Sequence, residues 1–181
     1  MRRVGVLALQ GDFEAHKRAL ERAGAAAVEV RSAAELDAVA GLVLPGGEST
    51  TVLKLLELEN LFEPLRRFGL EKPIFGTCAG AILLAKEVLR PAQKSLALMD
   101  VKIERNAYGR QLDSRVVRLS ELEAVFIRAP IIRGVGPGVR VLATYLDTPV
   151  LVEEGRHLAA TFHPELTADV RVHRLFLEKL R

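Results

Sequence analysis

Short apolar runs and helical segments alternate over the first half of the chain, and this alternation constrains the fold more than any other feature. Four runs are too short for helices and continuously apolar, which is typical of buried strands: RRVGVLAL, AAVEV, LVL and KPIFG. The segments that follow them are predicted to be helical: FEAHKRALERAG, AAELDAVAG, ESTTVLKLLELENLFEPLRRFG and CAGAILLAKEVL. Strand–helix–strand units of this kind form a parallel sheet with helices on both faces. The sequence therefore predicts a doubly wound α/β fold.

The second half of the chain differs in character. Six further runs have strand-like composition with turns between them: LALMDVKIER, SRVVRLS, AVFIRAP, VRVLATYL, PVLVEEG and HLAATFH. A final helix is predicted over ADVRVHRLFLEKL. Since no linker, repeat or low-complexity tract interrupts the chain, we expect one α/β domain over residues 1–181, with extra strands in its second half.

Local signals also set the expected limits of two helices. The helix after the third strand is expected to be interrupted near Pro64 and to end at Gly69. The helix after the fourth strand is expected to run without a break from Cys78 to Leu89.

Charge and composition exclude several classes of function. The net charge is +3, but the 26 basic residues are interspersed with 23 acidic ones and aromatic residues are few, which argues against nucleic-acid binding. No apolar run approaches the roughly 20 residues that span a bilayer, and the N-terminal run is too short for a signal peptide. The single cysteine cannot form an intramolecular disulfide. We therefore expect a cytoplasmic protein with no nucleic-acid or membrane partner.

The single cysteine, Cys78, lies in the sequence Gly76-Thr77-Cys78-Ala79-Gly80, between a predicted strand and a predicted helix. This glycine–x–nucleophile–x–glycine pattern follows the logic of the hydrolase elbow, because a sharp turn leaves no room for a Cβ on either side. A helix N-terminus beside the sulfur favours the thiolate, and the N–H of Ala79 is suited to bind an oxyanion. Since open α/β sheets bind ligands at the carboxyl ends of strands, a nucleophile is favoured over a buried structural cysteine.

His163 is the candidate base for this nucleophile. It ends the apolar run LAATF, and Glu165 follows two residues later. In an extended chain, residues two apart point to the same side, so the carboxylate would hold the imidazole, and Pro164 restrains the backbone between them. From these residues alone, a surface loop with an incidental His-Pro-Glu is an equal alternative. The other three histidines are assigned to surface, packing or turn positions: His16, His157 and His173.

The segment GGES at residues 46–49 follows the third predicted strand. It lacks the G-x-x-x-x-G-K-[ST] pattern of a phosphate loop, and no lysine follows the glycines. A second source of oxyanion N–H groups beside the elbow is the preferred interpretation. The QGD turn at residues 10–12 is expected at the same edge of the sheet. No cluster of cysteine, histidine and acidic residues has zinc spacing.

Taken together, these residues resemble the class I, or triad, glutamine amidotransferases. The chain is most similar to the branch formed by the glutaminase subunits of pyridoxal 5′-phosphate synthase. The stretches that carry the resemblance extend from residue 6 to 167: VLALQGDFEAH, LVLPGGESTT, PIFGTCAGAILLA, ERNAYGRQLDS, FIRAP and TFHPELT. The elbow and the His-Pro-Glu triplet are shared by many amidotransferases, whereas GGEST, RNAYGRQ and FIRAP are more selective for the vitamin B6 branch.

The resemblance implies that glutamine is hydrolysed through a glutamyl thioester. Cys78 would attack the amide, His163 would carry the proton to ammonia, and Glu165 would orient His163. The N–H groups of Gly47 and Ala79 would bind the oxyanion. The residues implied to contact glutamine are Gly46, Gly47, Glu48, Arg105, Ile127 and Arg128.

The resemblance further implies a partner and an absence of cofactors. L-glutamine would be the substrate, and the ammonia would pass to a (β/α)₈-barrel synthase subunit in a large hetero-oligomer. This chain would need no bound cofactor and no metal, since pyridoxal phosphate is the product of the complex.

Three alternatives are weighed against this interpretation. The first is the glutaminase subunit of another amidotransferase, such as the one serving histidine synthesis. The second is a thiol hydrolase or peptidase on a related fold, although such a relative would typically carry its histidine close after the cysteine. The third is a flavodoxin-like binding module without catalysis, in which Cys78, His163 and Glu165 would coincide by chance.

Overall fold

The computed structural model of the protein describes residues 1–107 and 114–180. Its strands are β1 (Arg3–Leu7), β2 (Ala26–Val30), β3 (Gly41–Leu44), β4 (Ile74–Thr77), β5 (Ala85–Leu89), β6 (Met99–Glu104), β7 (Ser114–Leu119), β8 (Leu122–Ile127), β9 (Ile131–Val135), β10 (Arg140–Tyr145), β11 (Thr148–Glu154) and β12 (His157–Ala160). Its α-helices are α1 (Phe13–Arg22), α2 (Ala33–Leu36), α3 (Ser49–Leu58), α4 (Phe62–Glu71), α5 (Ala79–Leu84) and α6 (Arg171–Leu177). Two short 3₁₀ helices cover Pro164–Leu166 and Glu178–Leu180.

A seven-stranded sheet forms the centre of the molecule, in the order β10-β11-β12-β4-β3-β1-β2. Strands β2, β1, β3, β4 and β12 are parallel neighbours, and β11 and β10 extend the sheet in antiparallel fashion. β4 therefore lies between β3 and β12, so the carboxyl ends of these three strands meet at one edge. The predicted α/β domain with a mostly parallel sheet is confirmed.

The extra strands of the second half build two smaller sheets. One has the order β5-β6-β9, and the other is the hairpin β7-β8. Strand β9 was not among the predicted strands, because Gly134 and Arg133 interrupt its apolar pattern. Its pairing with β6 rather than its composition fixes it as a strand.

The helical region after β3 differs from the prediction. The chain breaks at residues 59–61, where Asn60 adopts a positive φ of 54°, and not at Pro64. Pro64 lies in the first turn of α4, where backbone N–H groups have no partner inside the helix, so proline costs little there. The expected end at Gly69 was also wrong, since α4 continues to Glu71.

The helix after β4 is much shorter than predicted. α5 ends at Leu84, and the chain continues directly into β5. Residues 85–89 pair with β6 in parallel register, from Ala85 opposite Met99 to Leu89 opposite Glu104. Tertiary pairing therefore overrides the helical appearance of AKEVL.

Two hydrophobic clusters cover the two faces of the central sheet. Adjacent residues of β4 point to opposite faces: Ile74 joins the cluster that contains Leu56 and Leu65, and Phe75 joins the cluster that contains Phe176. By the same alternation, the side chain of Thr77, two residues after Phe75, lies on the face of the sheet that is covered by α1 and α6. Within the described part of the chain, no helix is long and apolar enough to cross a bilayer.

Two of the buried histidines couple stability to pH. His157 lies at the start of β12, where its Nδ1 accepts a hydrogen bond of 3.1 Å from the N–H of Ile74. Burial is the main cause that lowers the pKa of His157 to about 4. Burial and then the charge of Arg22 lower the pKa of His173 to about 4. The predicted turn position of His157 and the possible surface position of His173 are thus replaced by buried sites.

The free energy of unfolding should fall as the pH drops from 7 to 5. Protons bind an unfolded histidine near pH 6.5 but bind His157 and His173 only near pH 4, so acid favours the unfolded chain. Each of the two contributes about 2 kcal/mol of destabilisation at pH 5, and His16, whose pKa is also lowered, acts in the same direction. Urea unfolding at the two pH values measures the change. His157→Gln should lower the difference by about 2 kcal/mol, and equal stabilities at pH 7 and 5 would contradict the assignment.

Candidate active site

The elbow between β4 and α5 holds Cys78 in an unusual backbone conformation. Its φ of 50° and ψ of −105° lie outside the regions that non-glycine residues ordinarily occupy. The N–H of Cys78 donates to the carbonyl of Ala160 at 2.9 Å, and its carbonyl accepts from Ile82 at 3.1 Å. The strand pairing on one side and the helix on the other therefore fix the turn, with the sulfur at the carboxyl edge of the sheet.

The two glycines of the elbow are required by close backbone contacts. A Cβ at Gly76 would lie 2.4 Å from the carbonyl oxygen of Gly80, and a Cβ at Gly80 would lie 2.1 Å from the carbonyl oxygen of Leu44. Neither backbone can move away without disturbing the sheet or the first turn of α5. The predicted reason for the glycine–x–cysteine–x–glycine pattern is confirmed.

His163 and Glu165 lie next to the elbow, immediately after β12. Nδ1 of His163 is 2.6 Å from Oε1 of Glu165, and both side chains are buried. The N–H of His163 also donates to the carbonyl of Val125 at 2.8 Å, which fixes the backbone. The chain is not extended here as expected: Pro164–Leu166 form a turn of 3₁₀ helix, and this turn brings the carboxylate against the imidazole.

The environment of His163 favours its charged form. Burial alone would lower the pKa of His163, but hydrogen bonds to Cys78 and Glu165 and the charges of these groups raise that pKa to about 10. An imidazolium between a sulfur and a carboxylate is therefore the stable arrangement at neutral pH. Such a group already carries the proton that a leaving ammonia needs.

The loop after β3 packs against the imidazole. A Cβ at Gly46 would lie 2.5 Å from Cε1 of His163, so only glycine fits there. The N–H of Glu48 donates to Oε1 of Gln10 at 3.1 Å, which ties this loop to the turn after β1, as expected from their common edge. Ala79 is the first residue of α5, where an α-helix leaves the backbone N–H without an intrahelical acceptor.

A cleft of about 400 Å³ opens above Cys78 and His163. Of the residues predicted to contact a substrate, Gly47, Glu48, Arg105, Ile127 and Arg128 line this cleft. The structure thus brings them together from three separate parts of the chain: the loop after β3, the end of β6 and the end of β8. Gly46, Ala79 and Glu165 are buried behind the lining residues.

Arg105 is held in the cleft by polar partners. Its Nη2 donates to Oγ1 of Thr50 at 2.7 Å and lies 3.8 Å from Oε1 of Glu48. Glu48 in turn caps α3 and accepts hydrogen bonds from the N–H groups of Thr50 and Thr51 at 3.2 and 2.8 Å. Burial opposes its charge, but these hydrogen bonds lower the pKa of Glu48. The guanidinium is therefore oriented before any ligand arrives.

The model of the SNO glutamine amidotransferase family matches residues 6–181 of this chain. The chain belongs to this family. Two relatives are named pyridoxal 5′-phosphate synthase subunit PdxT. That of Solibacter usitatus is 60% identical and covers 99% of this chain and 100% of its own length. That of Koribacter versatilis is 56% identical and covers 99% of this chain and 96% of its own length.

Structural comparison agrees with this membership. A crystal structure of a glutamine amidotransferase superposes with a TM-score of 0.90 at 49% identity and covers 98% of both chains. Membership in the SNO family confirms the predicted enzyme class, a glutamine-hydrolysing amidotransferase. The alternatives of a thiol peptidase and of a non-catalytic flavodoxin-like module are therefore wrong.

Several residues of the cleft were not predicted from the sequence. The cleft is also lined by Asp12, Ser49, Ile82, Asn106 and Pro130. Asp12 had a usable signal, because it follows β1 at the same edge as the elbow. Ser49 and Asn106 adjoin the predicted residues Glu48 and Arg105, whereas Ile82 and Pro130 had no signal, since only the folded chain shows that they face the cleft. Of the stretch ERNAYGRQLDS, residues 108–113 lie outside the described part of the structure.

One group of side chains in the described ranges has the spacing of metal ligands. Atoms of Asp12, His163 and Glu165 lie within 4.8 Å of one another. The closest pair, however, is the hydrogen-bonded His163 and Glu165, and a cation there would have to displace the proton between them. These groups are better suited to proton transfer than to metal binding.

Proposed function

We propose that Cys78, His163 and Glu165 form the catalytic triad with which this glutaminase supplies ammonia to pyridoxal 5′-phosphate synthase. The function follows from membership in the SNO family and from relatives that share 60% and 56% identity over nearly the whole chain. The observation that carries the triad is the 2.6 Å hydrogen bond between His163 and Glu165, formed in a cleft that Cys78 and His163 line together. A nucleophile, a proton carrier and an orienting group are thereby brought to one site.

The geometry supports a reaction in two stages. The thiolate of Cys78 attacks the side-chain carbonyl carbon of glutamine, and the carbonyl electrons move to its oxygen. The N–H groups of Gly47 and Ala79 stabilise this oxyanion. His163 gives its proton to the departing nitrogen, so ammonia leaves and a glutamyl thioester remains. Water, losing its proton to His163, then attacks the thioester and releases glutamate and the thiolate.

The cleft supplies recognition for the amino-acid end of glutamine. The guanidinium groups of Arg105 and Arg128 suit the α-carboxylate, since they can donate paired hydrogen bonds to its two oxygens. The carboxylate of Glu48 suits the α-ammonium. Ile127 is 41% exposed at the end of β8 and acts through shape or backbone groups, and Gly46 acts by leaving room for His163.

The partner is a synthase subunit that consumes the ammonia. We assign it a (β/α)₈-barrel fold and a large hetero-oligomeric assembly, as the sequence resemblance implies. Ammonia released into water is protonated and loses its nucleophilicity, so direct transfer between subunits favours the synthase reaction. This chain holds no cofactor in the proposed mechanism, because every step uses its own side chains and water.

Covalent trapping tests the nucleophile directly. A glutamine analogue with a diazoketone in place of the amide should alkylate the Sγ of Cys78 and release dinitrogen. The experiment uses the chain together with its synthase partner, with peptide mass spectrometry as the readout. We expect one adduct, on the peptide that contains Cys78, and protection by excess glutamine. An active preparation that is inhibited by the analogue without an adduct at Cys78 would overturn the assignment.

A further inference from the structure

A second layer of buried polar groups lies behind the proposed triad. Nε2 of His16 is 3.3 Å from Oε2 of Glu165 and 3.0 Å from Oγ1 of Thr77. Nδ1 of His16 is 2.9 Å from Nε2 of His173. His16 and His173 are fully buried, so both histidines are packing residues and neither lies at the surface. Helix α1, helix α6 and the end of β4 thus converge on the carboxylate.

The oxygen Oε2 of Glu165 depends on this layer. Its other oxygen, Oε1, already faces Nδ1 of His163 at 2.6 Å. Among the described residues, Oε2 has no well-aligned hydrogen-bond donor, and Nε2 of His16 lies 3.3 Å from it. A buried carboxylate oxygen without any donor is costly. The nearby N–H of His16 is therefore the group that stabilises Oε2.

The neighbours of His16 also decide which of its nitrogens carries the proton. Burial, and then the nearby His173 and His163, lower the pKa of His16 well below its usual value, so the ring is neutral and has one N–H. A bare lone pair at Nε2 would face Oε2 at 3.3 Å with repulsion, so the proton belongs on Nε2. Nε2–H then lies between Thr77 Oγ1 and Glu165 Oε2. Nδ1 accepts from the Nε2–H of His173.

We propose that His16 is a positioning residue for the triad: its Nε2–H restrains Oε2 of Glu165 so that Oε1 stays aligned with Nδ1 of His163. His173 contributes by fixing the tautomer of His16. This inference rests on the proposed triad. It places part of the catalytic alignment in α1 and α6, which do not line the cleft.

Two substitutions of His16 with side chains of similar length distinguish a role in aligning Glu165 from a role in packing. His16→Gln retains an amide N–H near the position of Nε2, whereas His16→Met has a similar volume and no donor. In complex with the synthase partner, His16→Met should lower kcat for glutamine hydrolysis about 10- to 100-fold, as loss of outer hydrogen-bond partners does elsewhere. KM should change by less than about threefold, because His16 does not touch the cleft. His16→Gln should recover kcat to within about threefold of the unmodified protein.

Matched controls make each outcome decisive. His157→Met and His157→Gln alter a buried histidine far from Glu165 and should leave kcat unchanged. If His16→Met does not fold, His16→Asn replaces it, because the shorter amide still accepts from His173 but does not reach Glu165. Equal losses in the donor and non-donor variants, or no loss in either, overturn the role of His16. If Glu165→Gln itself leaves kcat unchanged, the triad assignment fails and His16 has no catalytic group to align.

Discussion

Replacing Cys78 with alanine should lower kcat for glutamine hydrolysis by at least about 10⁴-fold, to the background of the assay. Without the sulfur no thioester forms, and a water molecule would have to attack an unactivated amide directly. The fold should survive, because alanine retains the Cβ and only one sulfur atom is removed from the buried elbow. The measurement is the release of ammonia and glutamate by the complex with the synthase partner.

Two further measurements show that Cys78→Ala removes chemistry and not structure. Calorimetric titration should give a glutamine affinity close to that of the unmodified protein, since the cleft groups Arg105, Arg128 and Glu48 are untouched. The mutant complex should also make pyridoxal 5′-phosphate when an ammonium salt replaces glutamine. Substantial glutamine turnover by Cys78→Ala would refute the nucleophile, and a loss of the ammonium-dependent activity would point to faulty assembly instead.

The sequence predicted the central sheet well because its strands carry a continuous apolar pattern. β1, β3 and β4 are buried almost throughout, so hydrophobicity alone identified them, and α1 began and ended close to its local signals. The break between α3 and α4 was predicted at the wrong position. Proline is a strong signal for a helix break only in the interior of a helix, and Pro64 lies in the first turn of α4. The sequence predicts a helix over AKEVL because this segment continues the helical pattern of CAGAILL. Its intrinsic preference is too weak to oppose its pairing with β6.

The candidate site was predictable only where its residues stand in a local motif. The elbow and the His-Pro-Glu triplet are each recognisable as a local sequence motif, and the structure places both at the carboxyl edge of the central sheet. His16, His173 and Thr77 carry no such motif. They meet because α1 and α6 pack on the same face of β4, and that is a property of the folded core. The sequence therefore identified the groups proposed to react, whereas the groups that hold them in place are recognisable only in the folded structure.

Glutamine hydrolysis should be more sensitive to His163→Asn than to Glu165→Gln. Asparagine at position 163 can neither accept the thiol proton nor deliver a proton to ammonia, so kcat should fall about 10³-fold or more. Glutamine at position 165 leaves the proton carrier in place but removes the negative charge behind it. We expect a fall of about 10²-fold, assigned to a less stable and less well-oriented imidazolium. Steady-state kinetics of both variants in complex with the partner give the comparison.

The titration of His163 tells whether Glu165 acts through charge. In the unmodified protein its pKa is raised to about 10, against 6.5 in the unfolded chain. The stabilisation from this ion pair is therefore fully present below pH 6.5 and is lost as the pH rises through 10. Glu165→Gln should shift the imidazole titration, followed by NMR, to lower pH and flatten the alkaline loss of stability. A variant that keeps the titration of the unmodified protein but loses kcat would show that Glu165 acts by geometry alone, and a loss larger than that of His163→Asn would contradict the assigned roles. The side-chain amide introduced by Glu165→Gln can also donate to Nδ1 of His163 and so move the ring proton to Nε2. For this reason both the kinetics and the titration are needed to separate the effect of the charge of Glu165 from its effect on the orientation of His163.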